Sequence, residues 1–272
     1  MKNYKLIACD LDGTLVGSDL NICEKNQKAL TEFAKMGVHF VPCTGRTLSE
    51  MENVVNNDDI RYYIYSNGAA IWDKRTDEKV LMCLSKEESN RILDIVLSVD
   101  SYTVIHHDGK TYIDEAIVEG GKEKYNLSYN VDELVKTYAN RIADFRGLSY
   151  SMDNIESMSV FFMNEEDNEK CAEALSRLEN VLVVKGWDCN IEIFSSAASK
   201  GKALEKIAEM LGIDISETIT IGDSDNDRSM TLVSGLGLAA SNAVESLKNV
   251  ADEIICSNDE GVADYVLRHY FG

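Results

Sequence analysis

A short apolar run near the N-terminus ends abruptly in two carboxylates, and this stretch constrains the fold most strongly. Lys5-Leu6-Ile7-Ala8-Cys9 is typical of a buried parallel strand, and Asp10-Leu11-Asp12-Gly13-Thr14 follows directly. Residues two apart on a strand share a face, so Asp10 and Asp12 start close together and repel each other. A divalent cation or a shared proton relieves that repulsion. Open α/β sheets place their ligands at the carboxyl ends of their strands, so a binding site is predicted there.

The segments that follow alternate between helix and strand patterns. A helical stripe over residues 24–36 separates the first strand from predicted strands at residues 38–41 and 62–65, and the same rhythm resumes late in the chain, with a strand at residues 218–221. In between, short alternating strands lie between two helices, which is typical of a small antiparallel sheet with helices on one face. We therefore predict an α/β fold, with a Rossmann-like doubly wound parallel sheet formed by residues 1–84 and 188–272 and an inserted α+β domain at residues 85–187.

Composition narrows the choice of partners and compartment. The formal net charge is −20, which argues against nucleic acid or an anionic membrane as the main partner. Seven scattered cysteines without a Cys-x-x-Cys pair favour buried reduced thiols over disulfides or a zinc site. The N-terminal residues lack a signal-peptide pattern, and no apolar run approaches transmembrane length. We expect a cytoplasmic protein that is a monomer or a homodimer.

A second acidic cluster follows the predicted strand at residues 218–221. Its three acids, Asp223, Asp225 and Asp227, imitate the start of an EF-hand loop, but that motif needs glycine and glutamate where this chain has Arg228 and Ser234. An acidic helix N-cap is the simpler alternative. Three acids exceed what a cap needs. Together with the first pair of carboxylates, they predict an oxygen-rich site suited to Mg²⁺.

Two other patterns do not support a binding site. The segment Gly235-Leu236-Gly237-Leu238-Ala239-Ala240 matches a dinucleotide-binding fingerprint in spacing, but it follows a helix and opens a strand, which is the reverse of the required order. The adjacent His106 and His107 would point to opposite faces of a strand, so a polar turn is a better interpretation than a metal site.

Four segments, taken in order, resemble the haloacid dehalogenase-like superfamily of phosphatases. They are Asp10-Leu11-Asp12-Gly13-Thr14, Thr44-Gly45-Arg46, Ser199-Lys200-Gly201 and Gly222-Asp223-Ser224-Asp225-Asn226-Asp227. The long insertion between the second and third segments resembles the Cof-type branch, subclass IIB, in which such a domain acts as a cap. The motifs span nearly the whole core domain, whereas the insertion matches only in position and pattern.

This resemblance implies a mechanism of phosphoryl transfer. Asp10 would attack phosphorus and form an aspartyl-phosphate, and Asp12 would first protonate the leaving oxygen and then activate water. Mg²⁺ would be held by Asp10, the Asp12 main-chain carbonyl and Asp223, with Asp227 included in the metal site. The cation would let an anionic nucleophile approach an anionic phosphate.

The resemblance also implies residues that contact the phosphate and the rest of the substrate. The phosphate-binding set is the backbone amide of Leu11 with Thr44, Gly45, Lys200 and Asn226. Lys200 has support of its own, because a lysine at a helix N-terminus opposes the helix dipole and so predicts a local anion. Arg46 and Asn67 are candidate substrate contacts, and Asp225 is a candidate support for its loop.

The predicted function is therefore a Mg²⁺-dependent phosphatase of small phosphorylated metabolites, with sugar phosphates as the first choice. The cap would exclude water and select the substrate. One alternative is a phosphomutase of the same fold. Another is a regulatory protein that binds phosphorylated ligands without turnover.

Overall fold

The structure, a computed structural model, describes residues 3–55, 57–185 and 189–272. It contains two compact units, and the chain passes between them four times. The first unit comprises Met1–Arg46, Met51–Val80 and Ser199–Gly272, and the second comprises Thr47–Glu50 and Leu81–Ala198. The end of the predicted insertion, at residues 187 and 188, lies outside the described residues.

The first unit is built on a parallel sheet of five strands. Their spatial order is Glu253–Ile254, Leu236–Ala239, Thr218–Gly222, Leu6–Cys9 and His39–Pro42. Every residue of Leu6–Cys9 is fully buried, as an apolar strand in the interior of such a sheet requires. Cys9 is level with Ile221 and Pro42 on the neighbouring strands, so the residues after all three strands emerge at one edge. The predicted α/β fold with a parallel sheet is confirmed.

The helices of the first unit include the amphipathic segment predicted at residues 24–36. That helix buries Ala29, Leu30 and Phe33, and Phe33 makes an edge contact with Phe271 just after the last helix. The α-helices of this unit are Glu24–Lys35, Lys200–Leu211, Arg228–Val233, Glu245–Lys248 and Val262–Tyr270. Short 3₁₀ helices occupy Ser66–Gly68, Ile215–Glu217, Asp225–Asp227 and Asn258–Glu260.

The predicted strand Tyr62–Tyr65 is present, but it is not one of the five strands of the parallel sheet. It pairs antiparallel with Ala70–Asp73 in a three-stranded sheet that also contains Glu78–Leu81. A parallel bridge between Cys43 and Ile64 connects it to the segment that follows the parallel sheet. The reversal follows from the turn after the strand, where Asn67 and Gly68 have positive φ angles of 55° and 91° and turn the chain back at once.

The second unit contains a six-stranded sheet that is antiparallel except for one edge pair. Its spatial order is Val181–Lys185, Asn190–Ser195, Ile155–Phe162, Ser101–His107, Lys110–Asp114 and Asn140–Ile142. The strand Asn190–Ser195 follows the predicted end of the insertion in sequence, yet it pairs within this sheet. The short helix Leu48–Met51 begins in this unit and ends in the first.

Helices cover both faces of this sheet, so the prediction of helices on one face is wrong. Ile105 packs into one apolar cluster, whereas its neighbours on the strand, including Val104, point to the opposite face and pack with Tyr125 and Val135. The helices are Lys86–Val96, Glu115–Val118, Gly121–Lys124, Tyr129–Tyr138, Phe145–Ser151 and Glu165–Leu175. Among the described parts of the chain, no helix combines the length and apolar character needed to cross a membrane.

Candidate active site

The carboxyl edge of the parallel sheet brings together three of the predicted acids. One carboxylate oxygen from each of Asp10, Asp223 and Asp227 lies within 4.8 Å of the other two. Asp10 and Asp227 are buried, and Asp223 is partly buried. The sheet explains this, because Asp10 follows Leu6–Cys9 and the other two acids follow the adjacent strand. This convergence was predicted from sequence.

Lys200 lies inside this acidic cluster. Its side chain is fully buried, and its Nζ atom lies 2.7 Å from Asp10 Oδ1 and 2.6 Å from Asp227 Oδ1. It is the first residue of its helix, where the helix dipole disfavours a positive charge. The two carboxylates compensate for both the burial and the dipole. The predicted anion beside Lys200 is present as the protein's own carboxylates.

The protonation behaviour of the cluster follows from its burial. Burial raises the pKa of Asp10 well above its usual range, against the effect of Lys200, and burial also raises the pKa of Asp223. Burial alone would lower the pKa of Lys200, but Asp10 and Asp227 outweigh it and keep the ammonium charged. Three carboxylates and one ammonium have a formal charge of 1 − 3 = −2. A divalent cation would neutralise that charge.

Removal of Lys200 is expected to destabilise the protein. Lys200→Met leaves two buried carboxylates without their cation, and breaking such a pair costs about 3–5 kcal/mol of unfolding free energy. The variant also removes the effect of Lys200 that lowers the pKa of Asp10, so the folded-state pKa of Asp10 rises further. The loss of stability is therefore largest at neutral pH and shrinks as the pH falls. Urea denaturation without divalent cations measures both effects. Lys206→Met, which removes an exposed ion pair from the same helix, is the control, and equal losses in the two variants would contradict the prediction.

Asp12 lies apart from the cluster and is held by Arg46. Arg46 Nε donates to Asp12 Oδ2 at 2.8 Å, and Nη2 donates to Asp12 Oδ1 at 2.7 Å. Bidentate pairs of this kind fix a carboxylate in both position and orientation. Arg46, named from sequence as a candidate substrate contact, therefore orients Asp12 in this structure.

The remaining predicted polar residues form a second group on the same edge. The Thr44 carbonyl accepts a hydrogen bond from the Asn67 backbone N–H at 2.9 Å, and Asn226 Nδ2 donates to Asn67 Oδ1 at 2.9 Å. A Cβ atom at Gly45 would lie 3.2 Å from Asn67 Oδ1, so any larger residue at this position would crowd the Asn67 amide. The structure thus brings Thr44, Gly45, Asn67 and Asn226 together.

Thr14 is a site residue for which the sequence predicted no role. It is fully buried, and its Oγ1 donates to Asp223 Oδ1 at 2.9 Å. Its position two residues after Asp12 is the signal that identifies it. The carbonyl of Leu11 accepts hydrogen bonds from the Thr14 and Val16 N–H groups, which closes the turn around the acids. Asp225 accepts a hydrogen bond from Ser246 Oγ at 2.6 Å, which anchors its loop to the helix Glu245–Lys248.

Comparison with known proteins shows which family and which relatives this chain is similar to. The sequence profile of the haloacid dehalogenase-like hydrolases matches residues 7–266. The chain is 29% identical to phosphatase YwpJ of Bacillus subtilis (strain 168), over 97% of this chain and 99% of the relative. It is 28% identical to the 5-amino-6-(5-phospho-D-ribitylamino)uracil phosphatase YwtE of the same organism, over 96% of each. A solved haloacid dehalogenase-like hydrolase from Bacillus subtilis is 27% identical, with a TM-score of 0.79 over 98% of this chain and 99% of that chain.

Proposed function

Because the chain belongs to the haloacid dehalogenase-like hydrolase family, we propose that it hydrolyses phosphate esters with Asp10 as the nucleophile and Asp12 as the general acid and base. The protein is a phosphatase, and its substrate is a small phosphorylated molecule. The observation that carries the proposed mechanism is the position of the Asp10 carboxylate, which is buried and oriented by Lys200 at the edge of the sheet.

The residues at this edge fit a magnesium ion. All of the donors are carboxylate or carbonyl oxygens, which Mg²⁺ prefers, and the −2 charge of the cluster matches a divalent ion. Asp10, Asp223 and the Asp12 main-chain carbonyl would hold the ion. When bound, Mg²⁺ would reduce the repulsion between an anionic nucleophile and an anionic phosphate.

Asp227 is better suited to support the metal site than to ligate the ion. Its Oδ1 atom pairs with Lys200, and its Oδ2 atom accepts hydrogen bonds from the Asp223 and Ser224 backbone N–H groups at 2.9 and 3.0 Å. Both of its oxygens are therefore engaged. Asp227 would hold Lys200 and the Asp223 backbone in place, which is how the partners of metal ligands commonly act.

The reaction proceeds in two steps. In the first, Asp10 attacks phosphorus, the bond from phosphorus to the leaving oxygen breaks, and Asp12 gives its proton to that oxygen. In the second, Asp12 takes a proton from the water that attacks the aspartyl-phosphate, and inorganic phosphate leaves Asp10. Arg46 donates two hydrogen bonds to the Asp12 carboxylate, and this contact orients the group that accepts the proton in the second step.

The group beside the acids would hold the phosphate oxygens. Catalysis of phosphoryl transfer depends mainly on position and charge stabilisation, which hydroxyl, amide and ammonium donors provide. The proposed donors are the Leu11 backbone amide, Thr44, Gly45 through its backbone, Lys200 and Asn226. Asn67 and Arg46 would contact the substrate next to this phosphate.

Activity is expected to depend on Mg²⁺. A chelator should abolish phosphate release from p-nitrophenyl phosphate, and Mg²⁺ should restore it, whereas Ca²⁺ should restore it poorly because Ca²⁺ favours more ligands at longer distances. Release of phosphate into water without a bisphosphate activator distinguishes hydrolysis from mutase activity. Full activity in the presence of chelator would contradict the metal assignment.

The second unit, which contains the inserted domain predicted at residues 85–187, would act as the cap that selects the substrate. In the second unit, His106 is paired with Ser157 and Glu192 with Ser159, so all four point to one face of the sheet. Burial raises the pKa of Glu192, and no described residue donates a hydrogen bond to its carboxylate. Hydroxyl groups of a sugar or polyol phosphate would supply such donors. The ribityl phosphate in the name of YwtE is of this kind.

A change at Glu192 is therefore expected to alter substrate preference. Glu192→Gln weakens an acceptor for substrate hydroxyls, so kcat/KM for its best sugar or polyol phosphate should fall roughly tenfold, the worth of one hydrogen bond. The rate with p-nitrophenyl phosphate, which has no such hydroxyls, should change less. Glu169→Gln, at an exposed position in the same unit, is the control. If Glu192→Gln scaled all substrates equally, this face would not select the substrate.

A further inference from the structure

Three asparagine side chains hold the backbone of the loop that follows Asp12. Each donates one hydrogen bond from its amide group to one carbonyl oxygen of the loop: Asn242 to Gly13 at 2.8 Å, Asn26 to Leu15 at 3.0 Å and Asn258 to Val16 at 3.1 Å. A loop carbonyl that is hydrogen-bonded only to solvent can shift as its water molecules exchange. A hydrogen bond from a side-chain amide of the protein fixes the position of the carbonyl. Three such contacts within four residues indicate that this loop is held by the C-terminal part of the first unit and by its first helix.

The asparagines are themselves tied to the segment Ser257–Gly261 and the helix that follows it. Asn242 Oδ1 accepts a hydrogen bond from the Asn258 backbone N–H at 3.1 Å, so the donor end of the Asn242 amide is aimed at Gly13. Asp259 Oδ1 accepts from the backbone N–H of Ser18 at 2.8 Å. This C-terminal segment therefore aligns the amide of Asn242 from the side opposite to the loop.

The Gly13 carbonyl lies at a tightly packed point of the site. Gly13 has a φ angle of 79°, and a Cβ atom there would lie 2.5 Å from Asp223 Oδ2. The turn thus packs its backbone directly against a proposed metal ligand. The backbone N–H of Val244 also donates to the Asp223 carbonyl at 2.8 Å. Residues 242–244 consequently hold the loops that carry both sets of acids.

We infer that Asn242 is a positioning residue for the phosphatase reaction: its hydrogen bond to the Gly13 carbonyl sets the Gly13–Thr14 peptide, which lies one residue beyond Asp12, against Asp223. This inference rests on the proposed function of Asp12 and Asp223. Asn242 touches neither substrate nor metal and acts through the backbone. Displacement of that peptide by a fraction of an ångström changes the alignment of the proton donor and of the main-chain ligand, and rates are sensitive to shifts of that size.

Two substitutions at Asn242 test the inference. Asn242→Asp keeps the shape and the acceptor for Asn258 but replaces the donor with an oxygen that repels the Gly13 carbonyl. Asn242→Leu has a similar shape without the added charge. Asn242 is exposed, so both variants should fold. Both should lower kcat about 10–100-fold, the range typical for loss of an outer contact of a metal site, with a smaller change in KM. Calorimetric titration should show weaker Mg²⁺ binding in the leucine variant.

Asn249→Asp is the matched control, because it makes the same change at an exposed position seven residues later. It should retain wild-type kcat and Mg²⁺ binding. A purely structural role would lower the thermal midpoint of the Asn242 variants and leave kcat at 25 °C unchanged, and that result would overturn the inference. So would loss of activity confined to Asn242→Asp. Failure of the proposed function itself would appear in the wild-type enzyme, as activity that survives a chelator.

Discussion

Asp10→Asn is expected to reduce turnover by about 10⁴–10⁶-fold, the range typical for loss of a catalytic nucleophile. The amide has nearly the size of the carboxylate and still accepts a hydrogen bond from Lys200, but it is a far poorer nucleophile toward phosphorus. Phosphate release and rapid-quench labelling with ³²P-labelled substrate measure the loss, and the variant should carry no covalent phosphate. Asp58→Asn, at an exposed position in the same unit, is the control.

The same variant should be at least as stable as the wild type without divalent cations. Burial raises the folded-state pKa of Asp10, so the ionised carboxylate destabilises the folded protein above its unfolded-state pKa. Asparagine removes that penalty at neutral pH and has no effect at a pH low enough to protonate Asp10. Turnover close to that of the wild type would exclude Asp10 as the nucleophile. Loss of activity together with loss of folding would indicate a structural role.

The first strand of the parallel sheet was predictable because it is a short apolar run without alternation. Leu6–Cys9 is buried on both faces of the sheet, and burial on both faces requires the continuous apolar run that its sequence shows. The helices Glu115–Val118 and Gly121–Lys124 of the second unit had no such signal, because four residues complete barely one turn and show no helical period. The third helix of the missed layer, Tyr129–Tyr138, spans ten residues and carries Val131, Leu134 and Val135 at helical spacing, so its signal was present in the sequence and was missed.

The acidic cluster was predictable for a related reason. Acids that follow adjacent parallel strands must converge, so the chain order places Asp10 near Asp223 before any side chain is positioned. The partnership of Arg46 with Asp12 was not predictable, because its geometry depends on how two loops pack. The contact from Asn242 to Gly13 joins residues 229 positions apart through one side-chain amide, and no periodic pattern marks it.

Asp12→Ala is expected to slow the two steps of the reaction to different extents for different substrates. General acid–base catalysis contributes about 10²–10⁴-fold, or roughly 3–5 kcal/mol of barrier. A sugar alkoxide is a poor leaving group without a proton, so the first step should slow by that full factor for a sugar phosphate. Nitrophenolate leaves readily without protonation, and its first step should slow only mildly. Water attack on the aspartyl-phosphate is the same for both substrates, and it should be slow in both.

With p-nitrophenyl phosphate, the Asp12→Ala variant should therefore release a burst of nitrophenolate that is followed by slow turnover. The burst amplitude should equal the concentration of active sites, because phosphate remains on Asp10 until water removes it. Stopped-flow absorbance measures the burst, and rapid-quench labelling measures the phosphate on the protein. Arg46 loses its bidentate partner in this variant, so Arg46→Ala, which keeps Asp12 but frees it, is the informative control. Absence of a burst in Asp12→Ala, with Mg²⁺ binding intact, would show that Asp12 does not carry the proton in the second step.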